Sequence, residues 1–434
     1  MSGYSFRVKK TERRVKVAFS DGAQEHDGAL SQGFDCADGT LRAGVSAVLL
    51  DGEGIPADAE AVYAADGAYL VYAGGACSVR PAGGESFSLS QVAFSAPPAC
   101  VRVYDDTAGE ALLLSDGASS ALLTASGLSA ESVPAFTAAA YVFERLWLVT
   151  GEEAGARLRY SSFEDWRDFT EQTGGGGYID LPDGKGRIVA LADFENDIYV
   201  FREYGLQRLR ARGDEREFEV RDVFPCALVY GGTVAVAGER IVWLGADGLH
   251  AYDGDGEPFA ASFSGLFAAE QSSPRGCAAG GRYYLQAALA DGQEQALFSF
   301  SEDGAHGHLL RGAFGGLCSC GGEAYAVCDG APCTLYGHGG AGISFRRAWE
   351  RTLSAPRGEG VLARLRLDAD AGLRLSVAGA RGARAFTLRR SGAQTFPVGI
   401  AGDGFTVRIE GDGACGQARS LTAVWAYEEA EYDD

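Results

Sequence analysis

The chain has 434 residues, with 62 Gly, 12 Pro and a single Met; that is about twice the Gly content of an average globular protein. With 46% hydrophobic and 22% charged residues it can bury a large core, which excludes wholesale disorder, collagen and coiled coil. Its formal net charge of −21, from 59 acidic and 38 basic residues, repels phosphate backbones and anionic membranes and excludes a DNA-binding module.

The first element is a basic arm within residues 1–30. Arg7, Lys9, Lys10, Arg13, Arg14 and Lys16 precede the acidic body. Two readings fit: a contact arm for an acidic surface on a neighbouring subunit, or a solvated edge strand guarded by its charge. The opening Met1-Ser-Gly-Tyr-Ser-Phe-Arg has no apolar stretch of a secretory leader, and none is expected. The longest apolar candidate, Ala135 to Val149, is broken by Glu144 and Arg145, so no membrane span is predicted.

From there a unit recurs: a polar or Gly turn, then a short apolar strand bearing an aromatic residue, then another turn and strand. Copies are Asp66-Gly-Ala-Tyr-Leu-Val-Tyr, Phe143-Glu-Arg-Leu-Trp-Leu-Val, Glu195-Asn-Asp-Ile-Tyr-Val-Phe, Gly238-Glu-Arg-Ile-Val-Trp-Leu, Gly280-Gly-Arg-Tyr-Tyr-Leu-Gln and Gly322-Glu-Ala-Tyr-Ala-Val-Cys, with a weaker one at Gly109-Glu-Ala-Leu-Leu-Leu. Marking the first strand residue of each gives Tyr69, Leu112, Leu146, Ile198, Ile241, Tyr283 and Ala324, in steps of 43, 34, 52, 43, 42 and 41. A period of about 40–50 residues is that of a β-propeller blade. The spacing predicts a propeller of six or seven blades over residues 31–354.

Within it, Asp247-Gly248 signals a two-residue hairpin turn, because Gly tolerates the positive φ that such a turn needs. Helical pattern is confined to a short candidate at Glu131 to Ala140 and the acidic-aromatic turn Ser162-Phe-Glu-Asp-Trp-Arg-Asp-Phe-Thr. The long step after Leu146 reflects an insertion from Tyr160 to Asp183; its run Gly174 to Gly177 reads as a turn-forming loop, not a phosphate loop, since no Gly-Lys-Ser/Thr follows. Past Ala355-Pro-Arg-Gly-Glu-Gly the pattern changes to alternating strands such as Val361-Leu-Ala-Arg-Leu-Arg-Leu and Phe405-Thr-Val-Arg-Ile-Glu. These predict a small β-sandwich-like domain over 355–434, ending in a frayed acidic tail, Glu428 to Asp434. The fold class is therefore all-β.

Little points to chemistry. The five histidines (His26, His250, His306, His308, His338) form no nucleophile-base constellation, and neither a Gly-x-Ser-x-Gly elbow nor a His-Glu-x-x-His motif occurs. Ser301-Glu-Asp-Gly304 partly matches the Asp-box turn of sialidases but reads as a plain Asp-Gly turn. Of ten cysteines, Cys318, Cys320, Cys328 and Cys333 cluster ahead of His338. Their types suit zinc, yet their spacing lacks Cys-x2-Cys pairs, so metal ligands stand beside small buried thiols as readings.

The order Gly33-Phe-Asp-Cys-Ala-Asp-Gly-Thr-Leu-Arg-Ala-Gly, Phe143-Glu-Arg-Leu-Trp-Leu, Arg159-Tyr-Ser-Ser-Phe-Glu-Asp-Trp-Arg-Asp-Phe, Asp197-Ile-Tyr-Val-Phe-Arg-Glu-Tyr-Gly-Leu-Gln-Arg-Leu and Ile241-Val-Trp-Leu-Gly-Ala-Asp-Gly-Leu-His-Ala-Tyr-Asp-Gly resembles the propeller-bearing structural proteins of tailed bacteriophages and prophages, of tail nozzle, tubular tail or virion stabilisation type. The likeness covers about residues 30 to 260. It implies a non-enzymatic virion component of tail or neck, assembled in the host cytoplasm, homo-oligomeric and in contact with other virion proteins. It also implies that DNA passes nearby without sequence-specific binding, and that no cofactor is required. Dedicated nozzle proteins are larger, which leaves the place in the particle open. The rival readings are a glycan-binding or glycan-cleaving propeller, using Trp147, Trp166, Trp243, Tyr283 and Tyr284 as stacking platforms, and a scaffold that binds a peptide across its face.

Overall fold

The computed structural model describes residues 6–19, 31–32, 34–37, 39–172, 175–256, 258, 263, 265–290, 295–301, 307–337, 343, 345–412 and 416–432. These form β-strands joined by turns, with 3-10 turns at Glu152–Gly155, Glu215–Glu217 and Gly231–Thr233 and no α-helix among the described residues. The chain divides into two compact units: Ala47–Asp303 with Arg311–Tyr336, and Met1–Ser46 with Gly304–Leu310 and Gly337–Asp434.

The first unit is a β-propeller of seven sheets. Blades 1 to 4 are four-stranded antiparallel sheets, opening with Ala61–Ala65, Ala99–Asp105, Ala138–Val142 and Ile188–Phe194. Blade 5 holds Ala235–Ala237, Arg240–Gly245 and Gly248–Tyr252. In blade 6, Arg275–Ala279, Arg282–Ala288 and Gln295–Ser301 pair in that order. Blade 7 is made of Phe314–Cys320, Glu323–Cys328 and Ala331–Tyr336, and its fourth strand is Ser46–Leu49 from the other end of the chain. The Leu50 N–H donates to the Pro332 carbonyl at 3.0 Å and fixes that closure. Each of the seven sequence markers lies on the second strand of its own blade.

The second strand is the one packed on both faces, so its middle residues run apolar in succession instead of alternating. Blade 4 shows the logic. Along Asp197–Arg202 every residue is buried; Ile198 and Val200 pack with Trp147 of blade 3, while Tyr199 and Phe201 pack with Trp243 of blade 5. Burial of such side chains contributes roughly 1.5–3 kcal/mol each. The turns that feed these strands need left-handed backbone: Asp66-Gly67 (φ 43 and 78) in blade 1 and Gly280-Gly281 (φ 56 and 74) in blade 6 are examples, which accounts for part of the Gly content.

The second unit is a two-sheet sandwich. In one sheet the order is Phe34–Ala37, Thr40–Ala43, Ala418–Tyr432, Gly360–Ala369, Gly392–Gly402, with Phe6–Val17 also paired to Ala418–Tyr432. The other places Ser31–Gln32, Arg346–Ser354, Gly404–Asp412, Arg374–Gly379 and Gly382–Thr387 side by side. Phe34, Trp349, Leu365, Leu375, Phe405 and Trp425 meet in its core. Buried His308 joins this unit: its Nε2 accepts the Val45 N–H at 2.9 Å, and Gly44 leaves room for the ring, since a Cβ there would sit 2.5 Å from Nε2.

Four expectations change. The domain boundaries set at 30 and 354 fall at 46 and 336, because the N-terminal segment completes sheets of the sandwich before the chain enters the propeller. The acidic tail is not frayed through Tyr432: it continues the strand that pairs with the basic arm. The helical candidate Glu131 to Ala140 is instead the crossing from blade 2 to blade 3, with Val133 and Phe136 buried between the blades and the Phe136 N–H donating to Ser115 Oγ at 2.9 Å. Finally, the blade 5 hairpin turns at Ala246-Asp247, one residue before the predicted pair, since Gly245 and Gly248 are register partners.

Candidate functional site

The first strand of each blade faces the propeller axis, and many of its residues there are small: Ala99-Cys100, Ala138-Ala139, Ala190, Ala235, Gly276-Cys277-Ala278 and Gly316 line one central cavity of about 390 Å³, beside Tyr63, Leu191 and Leu317. Small side chains are required where seven inner strands converge. Gly276 shows why, since a Cβ there would lie 2.5 Å from the Thr233 carbonyl oxygen and 2.6 Å from the Tyr283 hydroxyl, which itself donates to that carbonyl at 2.7 Å.

Among the described residues, Arg275 is the one charged side chain of the lining; Asp, Glu and Lys are absent from it. Its backbone is fixed opposite Gln286 in blade 6. The walls opposite carry Tyr63 of blade 1 and Cys100 of blade 2. The Tyr63 hydroxyl donates to the Pro98 carbonyl at 2.7 Å, and burial pushes its acidity well away from neutral pH, with the Arg275 charge acting in the opposite sense. Burial likewise pushes the Cys277 thiol up. The Cys100 and Cys318 thiols are raised by hydrogen bonding with Cys320 and by burial. The same two hydrogen bonds lower the Cys320 thiol, which is not among the residues lining the cavity.

The cysteines singled out by sequence separate into two places. Cys318 and Cys320 lie on the inner strand of blade 7, where the Cys318 thiol donates to the Val62 carbonyl at 2.7 Å. Cys328 and Cys333 sit on the following hairpin with their sulfurs 3.0 Å apart. His338, His26 and His306 lie outside the described residues. Among the described residues no group of three or more His, Cys, Asp or Glu is arranged to hold a metal ion. His250 stacks on Trp243 with centroids 5.2 Å apart and its Nε2 lies 2.8 Å from Asp247 Oδ1, an arrangement that closes the blade 5 hairpin. Of the partial Asp-box, Ser301 ends a blade 6 strand and the rest lies outside the described residues.

The aromatic residues considered as sugar platforms are core residues: Trp147 is 0%, Trp243 1%, Tyr283 1%, Tyr284 2% and Trp166 5% exposed. Trp166, in the blade 3 insertion, fastens that loop to blade 2. Its indole N–H donates to the Tyr104 carbonyl at 3.0 Å, and Arg167 beside it reaches Asp105 at 2.7 Å and Glu131 at 3.0 Å.

The basic arm is the strand Phe6–Val17, paired antiparallel with Leu421–Tyr432. Register sets Arg7 opposite Glu431, Lys9 opposite Glu429 and Lys10 opposite Glu428; the Lys10 Nζ lies 3.9 Å from a Glu428 oxygen. Arg13, Arg14 and Lys16 stand opposite Trp425, Val424 and Thr422 and are exposed.

Sequence reasoning did not single out Arg275, Cys100 or Cys277. The available signal was the recurrence of Ala, Gly or Cys within the strand preceding each marker strand, which the search for aromatic strands passes over.

No protein-family profile matches the chain, and no curated protein does. Solved structures do resemble it. BamB from Moraxella catarrhalis is 13% identical, over 75% of this chain and 97% of its own, with a TM-score of 0.38. The Neurospora crassa Pan2 WD40 domain is 9% identical over 64% and 89%, with a TM-score of 0.40. The β-propeller domain of the Trilobed protease from Pyrococcus furiosus is 11% identical over 62% and 89%, with a TM-score of 0.38. These are likenesses to β-propellers, in keeping with the seven sheets described above.

Proposed function

We propose that the chain is a non-enzymatic structural component of a tailed phage or prophage virion, associated with tail or neck and assembling as an oligomer with other virion proteins. The observation that carries the reading is the strand Phe6–Val17. It is twelve residues long, it pairs with its own chain along one side only among the described residues, and it presents Arg13, Arg14 and Lys16 to solvent on a chain of net charge −21. An open strand edge is a template for a second chain, and its cations match an acidic neighbour. In register, Arg7, Lys9 and Lys10 stand opposite acidic residues of the same chain, so the variant below targets the other three of the arm.

The order of turn and strand motifs over residues 30 to 260 supplies the particle. A DNA conduit in this reading belongs to the ring of copies, because the cavity inside one propeller, about 390 Å³, has no room for a duplex. Acidic walls around such a conduit would keep passing DNA from adhering.

The test is the mass of the purified protein by size exclusion with light scattering, with negative-stain images of the same peak, for wild type and for R13E/R14E/K16E. Expected are rings, alone or on addition of tail proteins, and their loss in the variant with its circular dichroism unchanged. A monomer indifferent to tail proteins would overturn the reading and send the protein to a glycan array.

A further inference from the structure

Arg275 poses a problem of electrostatics. It is half-buried in the wall of the central cavity, and it makes no hydrogen bond or ion pair with any described residue. Other buried or half-buried arginines of the propeller are satisfied: Arg145 donates to the Ser161 and Gly175 carbonyls at 2.7 and 3.0 Å, and Arg202 reaches Asp183 at 2.8 Å. The Arg275 guanidinium lines the cavity with solvent access, free to pair with an anion that enters.

The surroundings favour an anion. Carboxylates outnumber cations by 59 to 38 in the chain, yet none of the described residues lining this cavity is a carboxylate. The other polar side chains of the lining are the hydroxyls of Tyr63, Thr137 and Ser319 and the thiols of Cys100, Cys277 and Cys318. The cavity, about 390 Å³, is within the range of small-molecule sites and far below that of a folded partner.

We propose that the central cavity of the propeller binds a small carboxylate or phosphate anion through the fork of Arg275. Two parallel N–H donors match either a carboxylate or a phosphate. Small inner-strand residues give the ligand its space, and the acidic exterior favours binding of compact anions over polyanionic chains. The inference does not depend on the virion reading: it follows from the cavity alone.

Calorimetric titration of the full chain tests it, in low-chloride buffer, with sodium succinate and with inorganic phosphate as separate probes. One probe is expected to bind and to raise the melting temperature, and which one does so distinguishes a carboxylate from a phosphate ligand. Arg275→Gln should weaken binding by roughly 10- to 100-fold, the loss of charge-assisted hydrogen bonds. R221Q, which removes an exposed arginine paired with Glu219, should bind as wild type. Without probe, R275Q should melt as wild type does, because the guanidinium holds nothing in the protein. If R275Q does not fold, Arg275→Lys reads the same point: charge without the fork binds more weakly. Absence of binding by either probe at about 10 mM, or equal affinity in the Arg275 variant, overturns the proposal.

Discussion

Single residues set how tightly the propeller can close. At Gly276 any side chain meets the Thr233 carbonyl and the Tyr283 hydroxyl, so Gly276→Ala should cost about 1–3 kcal/mol, read as a lower midpoint in urea unfolding. Carboxylates act differently. Burial alone would raise Asp116, but the N–H groups of Ser95, Ala118 and Ser119, at 2.7, 2.9 and 2.9 Å, and the Ser95 hydroxyl hold its carboxyl well below the usual range. Asp105 is lowered first by its Arg167 hydrogen bond, and Asp222 by those from Lys185 and Gln207. A carboxyl whose folded pKa is depressed stabilises above the unfolded value, near 3.9, and loses that contribution as pH falls toward the folded one. Stability should therefore hold from neutral pH to about 5 and decline below about 4. Asp116→Asn should flatten that decline in acid titrations followed by circular dichroism; an unchanged slope would remove Asp116 from the account.

Strands show what a sequence discloses and what it hides. The second strand of each blade is legible, because a strand covered on both faces carries a run of apolar residues at its middle, and each marker from Tyr69 to Ala324 belongs to such a run. The pairing of Phe6–Val17 with Leu421–Tyr432 is not, since nothing local in Arg7 to Lys16 specifies a partner over 400 residues away, and the complementary charge reads equally well as a link between subunits. For the same reason the turn at Ala246-Asp247 is displaced by one residue from the Asp-Gly signal: register with Trp243 and Leu244 decides which pair stands at the bend. The candidate site was not read from the sequence, because seven separate segments must meet before Arg275 lines a cavity. Removing residues 1–17 should expose the long C-terminal strand and lower the melting temperature of the sandwich while leaving the propeller's near-ultraviolet signal from Trp147 and Trp243 in place; simultaneous loss of both would show that the arm supports more than its own sheet.

At the scale of the whole molecule, the chain is a ring and a sandwich, each closed by segments distant in sequence. The ring is completed by Ser46–Leu49 lying against Ala331–Tyr336, and the sandwich by Phe6–Val17 lying along the last strand. Both closures are nested, the inner one inside the outer. During synthesis on a ribosome, the early strands must wait while nearly 300 residues emerge before blade 7 exists to receive them, and longer still before the final strand does. Loop-closure entropy and high contact order make such a topology slow to form. A nascent chain halted anywhere before residue 331 holds unpaired edges and no finished ring, and is the form most exposed to aggregation and to chaperones.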